Sequence, residues 1–306
     1  MQQQMICPGL FTVAIVCGKM TPSYFLPGVA MKKLLFFDID GTLAYPRQEP
    51  APAVAEAIRR ARERGHMAFI STGRTSDSIP EAVDRIGFDG GIFSAGGEIR
   101  LGGSLLAECH MQEKLREEVR GCLRGNPVFY VLETADGRFH SENAGEILRM
   151  TDMTGVPEEM RRFTEAVLYD PTMQPMARYR GQQVFKIAYY CPGEGTAVEL
   201  AAGLEGVAKV VPFDNIPGLP LAIGEISDPA VNKGRALELV CRHFGMTKED
   251  CIAFGDSMND AEILLAAGLG VAMGNADPKL KALADLVCDR CENDGVAKAM
   301  GELGLI

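Results

Sequence analysis

Residues 34–43 read Leu-Leu-Phe-Phe-Asp-Ile-Asp-Gly-Thr-Leu. Four apolar residues run straight into two carboxylates, Asp38 and Asp40, with Gly41 and Thr42 behind them. A strand in the middle of a parallel sheet is buried on both faces and therefore apolar throughout, and such sheets carry their chemistry just past the C-terminal strand ends. Two acids at that place are costly unless they hold a cation or take part in a reaction. Taken alone, the stretch reads equally as a strand closed by a turn-forming Asp-Gly.

Residues 251–260, Cys-Ile-Ala-Phe-Gly-Asp-Ser-Met-Asn-Asp, repeat the pattern, with Asp256 after the apolar run and a further acid at Asp260. Between the two stretches lie Ser71-Thr72-Gly73-Arg74, behind apolar residues 67–70, and Lys233 in Val-Asn-Lys-Gly-Arg. With these four signals in this order, the chain resembles the haloacid dehalogenase (HAD) superfamily, and within it the Cof-type phosphatases with a large C2-type cap. The resemblance runs from about residue 31 to the C-terminus and takes in Gly274-Asn275-Ala276 and Asn293-Asp294-Gly295-Val296. It implies a doubly wound, Rossmann-like α/β core with an α+β cap inserted into it. Where the Cof branch often carries asparagine-glycine, this chain has Ala95-Gly96.

The pattern along the chain supports an α/β core independently. Pro52 opens a helix over 53–64, with Val54, Ala57, Ile58 and Ala61 at helical spacing and Gly65 at its end. A strand over 67–70, a short helix over 79–86 and a strand over 91–94 follow. Towards the C-terminus, helices over 234–244, 261–267 and 278–284 alternate with strands over 251–254, 269–272 and 286–288, as in an open α/β sheet. The middle has another texture. A charged helix over 112–124 precedes strands over 128–133, 184–190, 207–211 and 219–226, rich in tyrosine and β-branched residues. The expected organisation is a core of 31–109 and 228–306, a cap of 110–227, and an extension, 1–30, that is disordered or non-native. Residues 10–17 are apolar but fall short of the roughly 20 needed to cross a bilayer. No positive side chain precedes them, as a signal peptide would require.

A chain of 306 residues accommodates two domains. Its net charge of −10 argues against nucleic acid and against an anionic membrane as partners. Nine cysteines, an odd number, do not suit a disulfide framework and point to thiols in a cytoplasmic protein. Cys288-Asp-Arg-Cys291 has no second pair at zinc-site spacing. The glycines of Gly268–Gly274 stand too late in the chain, and at the wrong spacing, for a dinucleotide fingerprint.

Phosphate-monoester hydrolysis calls for an acceleration of order 10^21, roughly 28 kcal/mol, which no single group supplies. Asp38 reads as the nucleophile that forms an aspartyl-phosphate, and Asp40 as the general acid and base. Thr72 and the Gly73 amide are placed to hydrogen-bond phosphoryl oxygens, Lys233 to neutralise their charge, and Asp260 to orient Lys233 or a metal-bound water. The resemblance implies Mg2+ held by the Asp38 carboxylate, the Asp40 main-chain carbonyl and the Asp256 carboxylate, with phosphate contacts from the Ile39 amide and the Asn259 side chain. Four acids against one lysine support a divalent cation, because a phosphate dianion is otherwise repelled. Singly, Thr72-Gly73 is a plain turn, Lys233 a surface lysine and Asp260 a helix-start acid; their common order favours catalysis. Arg74 reads equally as a substrate contact and as a structural ion pair. His66, His110, His140 and His243 match no motif of the family.

The function expected is Mg2+-dependent hydrolysis of small phosphorylated metabolites, sugar phosphates above all. A phosphomutase of the same superfamily and a phospho-ligand sensor are the alternatives, although a sensor has no use for Asp40. The sequence leaves the oligomeric state open.

Overall fold

The computed structural model describes residues 12–13, 32–45, 48–213 and 218–306. The expectation for 1–30 therefore falls outside the described residues, save Thr12 and Val13. The chain divides into two compact units, 1–109 with 231–306, and 110–230. The first segment of the core unit holds β1 (Thr12–Val13), β2 (Leu34–Phe37), α1 (Pro52–Glu63), β3 (Met67–Ser71), α2 (Glu81–Asp84), β4 (Gly90–Phe93), β5 (Glu98–Leu101) and β6 (Ser104–Glu108). The inserted unit holds α3 (Glu113–Arg124), β7 (Phe129–Thr134), β8 (Gly137–His140), α4 (Ala144–Met150), α5 (Glu158–Leu168), β9 (Gln174–Pro175), β10 (Val184–Cys191), α6 (Glu194–Gly203), β11 (Lys209–Pro212) and β12 (Ala222–Ser227). The core resumes with α7 (Lys233–Phe244), β13 (Cys251–Gly255), α8 (Ala261–Ala266), β14 (Leu269–Ala272), α9 (Pro278–Leu283), β15 (Leu286–Val287) and α10 (Gly295–Glu302).

The core sheet runs β1-β6-β5-β4-β3-β2-β13-β14-β15 among the described residues. The strands from β4 through β15 in that order are parallel. From β2 the chain steps through α1 to β3 on one side, and from β13 through α8 to β14 on the other. Right-handed crossovers in opposite directions place α1 and α8 on opposite faces. The order thus reverses at β2 and β13, where sheets of this kind bind their ligands.

Aromatic side chains set the register there. All four residues of β2 are buried. Phe36 stacks on Phe69 of β3 at 5.2 Å, and Phe37 on Phe254 of β13 at 5.0 Å. The same residues face each other in the strand ladders. Successive side chains of a strand point to opposite faces, so β2 is keyed to one neighbour on each face. Each ring pair contributes about 0.5–1.5 kcal/mol, and a one-residue slip would turn every ring to the wrong face. This register brings Asp38, Thr72 and Asp256, which follow the three strands, level to within a residue.

Helix boundaries follow local chemistry. The buried face of α1 is Val54, Ala57, Ile58 and Ala61. Asn232 caps α7 by accepting from the Gly234 and Arg235 amides at 2.7 and 3.0 Å, and Gly245, at φ +64°, ends it. The helix expected over 79–86 is only one turn, α2. The residue before Pro80 is held extended, which delays its start, and Gly87 at φ +81° stops it.

The β5–β6 hairpin is absent from the sequence-based expectation and adds an antiparallel edge to the parallel sheet. Gly102 and Gly103, at φ +52° and +81°, supply the two positive φ angles that a two-residue hairpin turn requires.

In the inserted unit the sheet runs β11-β12-β10-β7-β8-β9, antiparallel except for the β8–β9 pair. Alternate residues build two apolar clusters. Leu132, Ile187 and Ile226 pack with Val119 and Leu123 of α3 and Leu200 of α6. Phe129, Val131 and Ala188 pack with Ile147 of α4 and Leu168 of α5. On the second face charged residues replace apolar ones at one end: Lys186 is buried and pairs with Glu133 at 3.4 Å and with Glu225. Among the described residues no helix is long and apolar enough to cross a membrane.

Candidate active site

Asp38 leaves β2 with its amide donating to the Phe254 carbonyl at 3.0 Å, which fixes its backbone to β13. The chain then turns tightly. The Ile39 carbonyl accepts from the Leu43 and Ala44 amides at 3.0 Å each, and the Gly41 amide donates to the Ala44 carbonyl at 2.8 Å. Gly41 sits at φ +89°, and a Cβ there would run into the Asp256 carboxylate. Only glycine allows the turn to pass this close to the second acid.

Asp38, Asp256 and Asp260 bring carboxylate oxygens to within 4.8 Å of one another. Lys233, the first residue of α7, is 0% exposed. Its Nζ donates to Asp260 Oδ1 at 2.6 Å, to Asp38 Oδ1 at 3.2 Å and to the Ser71 carbonyl at 3.2 Å, which uses all three donors. Asp260 also accepts from the Asp256 and Ser257 amides at 3.2 and 3.3 Å. It therefore ties Lys233 to the loop that carries Asp256. The Asp256 Oδ1 atom is buried and has no hydrogen-bond partner.

Burial first, then the charge of Asp260, pushes Asp38 well above the usual carboxylate range, against the pull of Lys233. The same two causes push Asp256 up to about 7. Burial pulls Lys233 down, but the charges of Asp260 and Asp38 outweigh it, and its pKa stands raised. The site thus holds a firmly charged ammonium among carboxyls that resist ionisation together.

The other sequence-derived residues surround this cluster unevenly. Thr72 is buried, and its Oγ1 accepts from the Arg74 amide at 3.2 Å. The Thr72 and Arg74 carbonyls accept from the Ala95 and Ser94 amides at 3.0 and 2.8 Å. Ser94 and Ala95 take φ values of +50° and +56°, a region where asparagine is more at ease than alanine. Gly96 follows at φ +107°, and a Cβ there would meet the Asn232 backbone at 2.6 Å, so this turn also presses on the start of α7. Asn259 Oδ1 accepts from Ser257 Oγ at 2.7 Å.

Asp40 stands apart from the acid cluster. Its carboxylate is gripped by Arg74, Nε to Oδ2 and Nη2 to Oδ1, both at 2.8 Å. The two side chains are 38% and 45% exposed. A cleft of about 410 Å³ opens beside this pair, lined also by Ile39, Tyr45, Pro80 and Val83.

Two contributors escaped the sequence reading. The Ser71 carbonyl is a third acceptor for Lys233, and main-chain acceptors leave no signal in residue identity. Asn275 donates to the Gly41 carbonyl at 2.8 Å and accepts from the Cys291 amide at 2.8 Å, which braces the acid-bearing turn. Its signal was present in Gly274-Asn275-Ala276. In the Cys-x-x-Cys segment both thiols are free, and Cys288 Sγ lies 3.4 Å from Met273 Sδ.

A parallel sheet with an acid cluster and a buried lysine at its point of reversal defines a doubly wound α/β protein with a charged site at its strand ends. The profile of the haloacid dehalogenase-like hydrolases matches residues 35–300. The HMP-PP phosphatase of Serratia proteamaculans is 28% identical over 280 residues, 87% of this chain and 93% of that protein. The pyridoxal phosphate phosphatase YbhA of Escherichia coli K12 is 27% identical over 278 residues, 87% and 96% of the two chains. The solved structure of the phosphatase BT1666 from Bacteroides thetaiotaomicron superposes with a TM-score of 0.74 at 22% identity, over 94% of this chain and all of that one, and so shares the fold. The chain belongs to the haloacid dehalogenase-like hydrolase family, as a phosphatase that hydrolyses phosphoric monoesters.

Proposed function

We propose that the protein is a Mg2+-dependent phosphatase of small phosphorylated metabolites, sugar phosphates foremost, working through an aspartyl-phosphate on Asp38. The observation that carries this reading is the surplus of acid around the buried Lys233: Asp38, Asp256 and Asp260 bring carboxylate oxygens to within 4.8 Å of one another, and Asp256 Oδ1 has no hydrogen-bond partner. A lysine so placed counters charge at Asp38 where an anion must arrive.

The residues fit a Mg2+ ion. The donors at the strand ends are all oxygen, as this hard cation demands, and the orphaned Asp256 Oδ1 is an acceptor without a donor. Asp38, Asp256 and the Asp40 main-chain carbonyl would hold the ion, which supplies positive charge against the phosphoryl oxygens.

In the first half-reaction an Asp38 carboxylate oxygen bonds to phosphorus as the ester oxygen leaves, and Asp40 gives that oxygen a proton. In the second, Asp40 takes a proton from the water that attacks the aspartyl-phosphate, and inorganic phosphate departs. Arg74 positions Asp40 through its two hydrogen bonds of 2.8 Å. Thr72 with the Gly73 amide, the Ile39 amide and Asn259 position phosphoryl oxygens, and Asp260 keeps Lys233 aimed. The inserted unit acts as a cap and selects the leaving group.

The test is phosphate release from a panel of hexose phosphates, pyridoxal phosphate and phosphoproteins, with Mg2+ and with excess chelator. Release from small esters only, and only with Mg2+, is expected. Full turnover in chelator would overturn the metal, efficient phosphoprotein turnover the substrate class. Phosphoryl return to a second position of the substrate would make the protein a mutase.

A further inference from the structure

The Sγ atoms of Cys241 and Cys251 lie 2.9 Å apart, and both thiols are free. A disulfide needs about 2.05 Å, so less than an ångström of side-chain motion separates the pair from a bond. Cys241 is on the buried face of α7, and Cys251 is the first residue of β13. The loop between them is well pinned. The Met246 amide donates to the Cys241 carbonyl at 2.9 Å, and Thr247 and Asp250 cap each other's turn. The Cys251 thiol reaches back to the Thr247 carbonyl at 3.5 Å. Both sulfurs are thus held in place by the same short stretch of backbone.

We propose that Cys241 and Cys251 form a modification site at which a peroxide converts the two thiols into an intramolecular disulfide that a dithiol reverses. Burial selects a small oxidant: the residues are 4% and 1% exposed, which excludes a peptide disulfide such as glutathione disulfide and leaves hydrogen peroxide as the reagent of the proposal. The Cys251 thiol donates to the Thr247 carbonyl, and Cys241, the less deeply buried of the two, is the first to react. Its sulfur attacks one peroxide oxygen, the O–O bond breaks, and the departing hydroxide takes the thiol proton to become water. The Cys251 sulfur then attacks the Cys241 sulfenic acid. The S–S bond forms, the S–O bond breaks, and a second water leaves with the Cys251 proton. Two thiols lose two electrons in all, and one peroxide gains them.

The bond joins the two elements that frame the acid cluster, since α7 starts at Lys233 and β13 leads into Asp256. It does so at the ends of both that are remote from those residues. The oxidised protein therefore gains stability, a rise in Tm of roughly 5 °C for a loop this short, with kcat unchanged within about twofold.

The experiment treats the full chain with hydrogen peroxide, blocks remaining thiols under denaturing conditions and maps peptides by mass. The expected product joins the Cys241 and Cys251 peptides, disappears with dithiothreitol and does not form with glutathione disulfide. In Cys251→Ser, Cys241 should stop at the sulfenic acid and be captured by dimedone when the protein is denatured in its presence. Recovery of Cys241 and Cys251 as blocked thiols while other cysteines are oxidised would overturn the proposal. So would Cys241 driven to sulfinic acid in the wild-type chain without the joined peptide. Serine at a buried position can weaken folding, so the wild-type map is decisive.

Discussion

Lys233 in the core and Lys186 in the inserted unit are both buried, and each faces two carboxylates: Asp38 and Asp260 for the first, Glu133 and Glu225 for the second. The difference lies in what surrounds them. Lys186 and its partners project from three adjacent strands of a sheet, and the trio sits beside an apolar cluster. Burial pushes Glu133 up, and the charges of the two glutamates hold Lys186 raised against its own burial. Lys233 lies where strands end and a helix begins, and a third acid, Asp256, stands beside it with an oxygen that nothing satisfies. A buried lysine between acids is therefore no mark of a catalytic centre. What sets Lys233 apart is surplus acid beyond what the lysine neutralises, gathered at the ends of the strands.

The comparison can be broken most directly at Asp38. Asp38→Asn should cut turnover by about 10^4-fold, because an amide neither attacks phosphorus nor holds a cation well, with the circular dichroism spectrum unchanged. Turnover within tenfold of wild type would remove Asp38 as the nucleophile. Next come the lysines themselves. Lys233→Met and Lys186→Met should each destabilise by about 3–5 kcal/mol in denaturant titration, since each strands buried acids. Only Lys233→Met should also lower kcat, by about 10^3-fold on p-nitrophenyl phosphate. Equal loss of kcat in both variants would erase the distinction.

The acid surplus should also show in the pH dependence of stability. The Asp256 carboxyl stands at about 7 in the fold against an ordinary 3.8. A carboxyl raised on folding adds stability that is fully present below 3.8 and lost as the pH climbs through about 7. Asp38 and Glu133, also raised, act in the same direction. In chelator, Tm should fall across this window, and the gain in Tm from the proposed Mg2+ should grow across it. Asp256→Asn should flatten both trends; a slope that survives the substitution would assign the effect elsewhere. The smallest effect is expected at Arg74. Arg74→Ala frees Asp40 from its grip and should lower kcat/KM about 10- to 100-fold through misplacement. The exposed ion pair itself is worth at most about 1 kcal/mol, so Tm should barely move. A large fall in Tm with intact kcat/KM would make Arg74 a purely structural residue.

Much of the core was legible because its signals are local. The apolar residues 34–37 ending at Asp38, and 251–254 ending at Gly255-Asp256, announce buried strands that deliver acids. Pro52, Gly245 and the spacing of Val54, Ala57, Ile58 and Ala61 announce helices. What could not be read depends on partners far along the chain. Lys186 stands in Val-Phe-Lys-Ile, where it reads as an exposed residue of a strand; its partner Glu225 lies 39 residues on, in a different strand. The Cys241–Cys251 contact is set by how α7 lies on β13, and no cysteine spacing encodes that. The β5–β6 hairpin is a different kind of omission. Its Gly102-Gly103 turn was in plain view, but a parallel-sheet expectation leaves no place for an antiparallel edge.

Asp38 and Lys233 touch across 195 residues of sequence. The central strand β2 waits for its neighbour β13 until the inserted unit, which is contiguous in sequence, has been synthesised in full. Domains fold as units during synthesis, and pairings between distant segments form late. On the ribosome the inserted unit is thus complete while Leu34–Phe37 still presents an unpaired, wholly apolar edge. A chain halted before Cys251 carries one finished domain and one sticky half-sheet, a species for chaperones and proteases to sort. The acid cluster is complete only once Asp256 and Asp260 have been added to the chain.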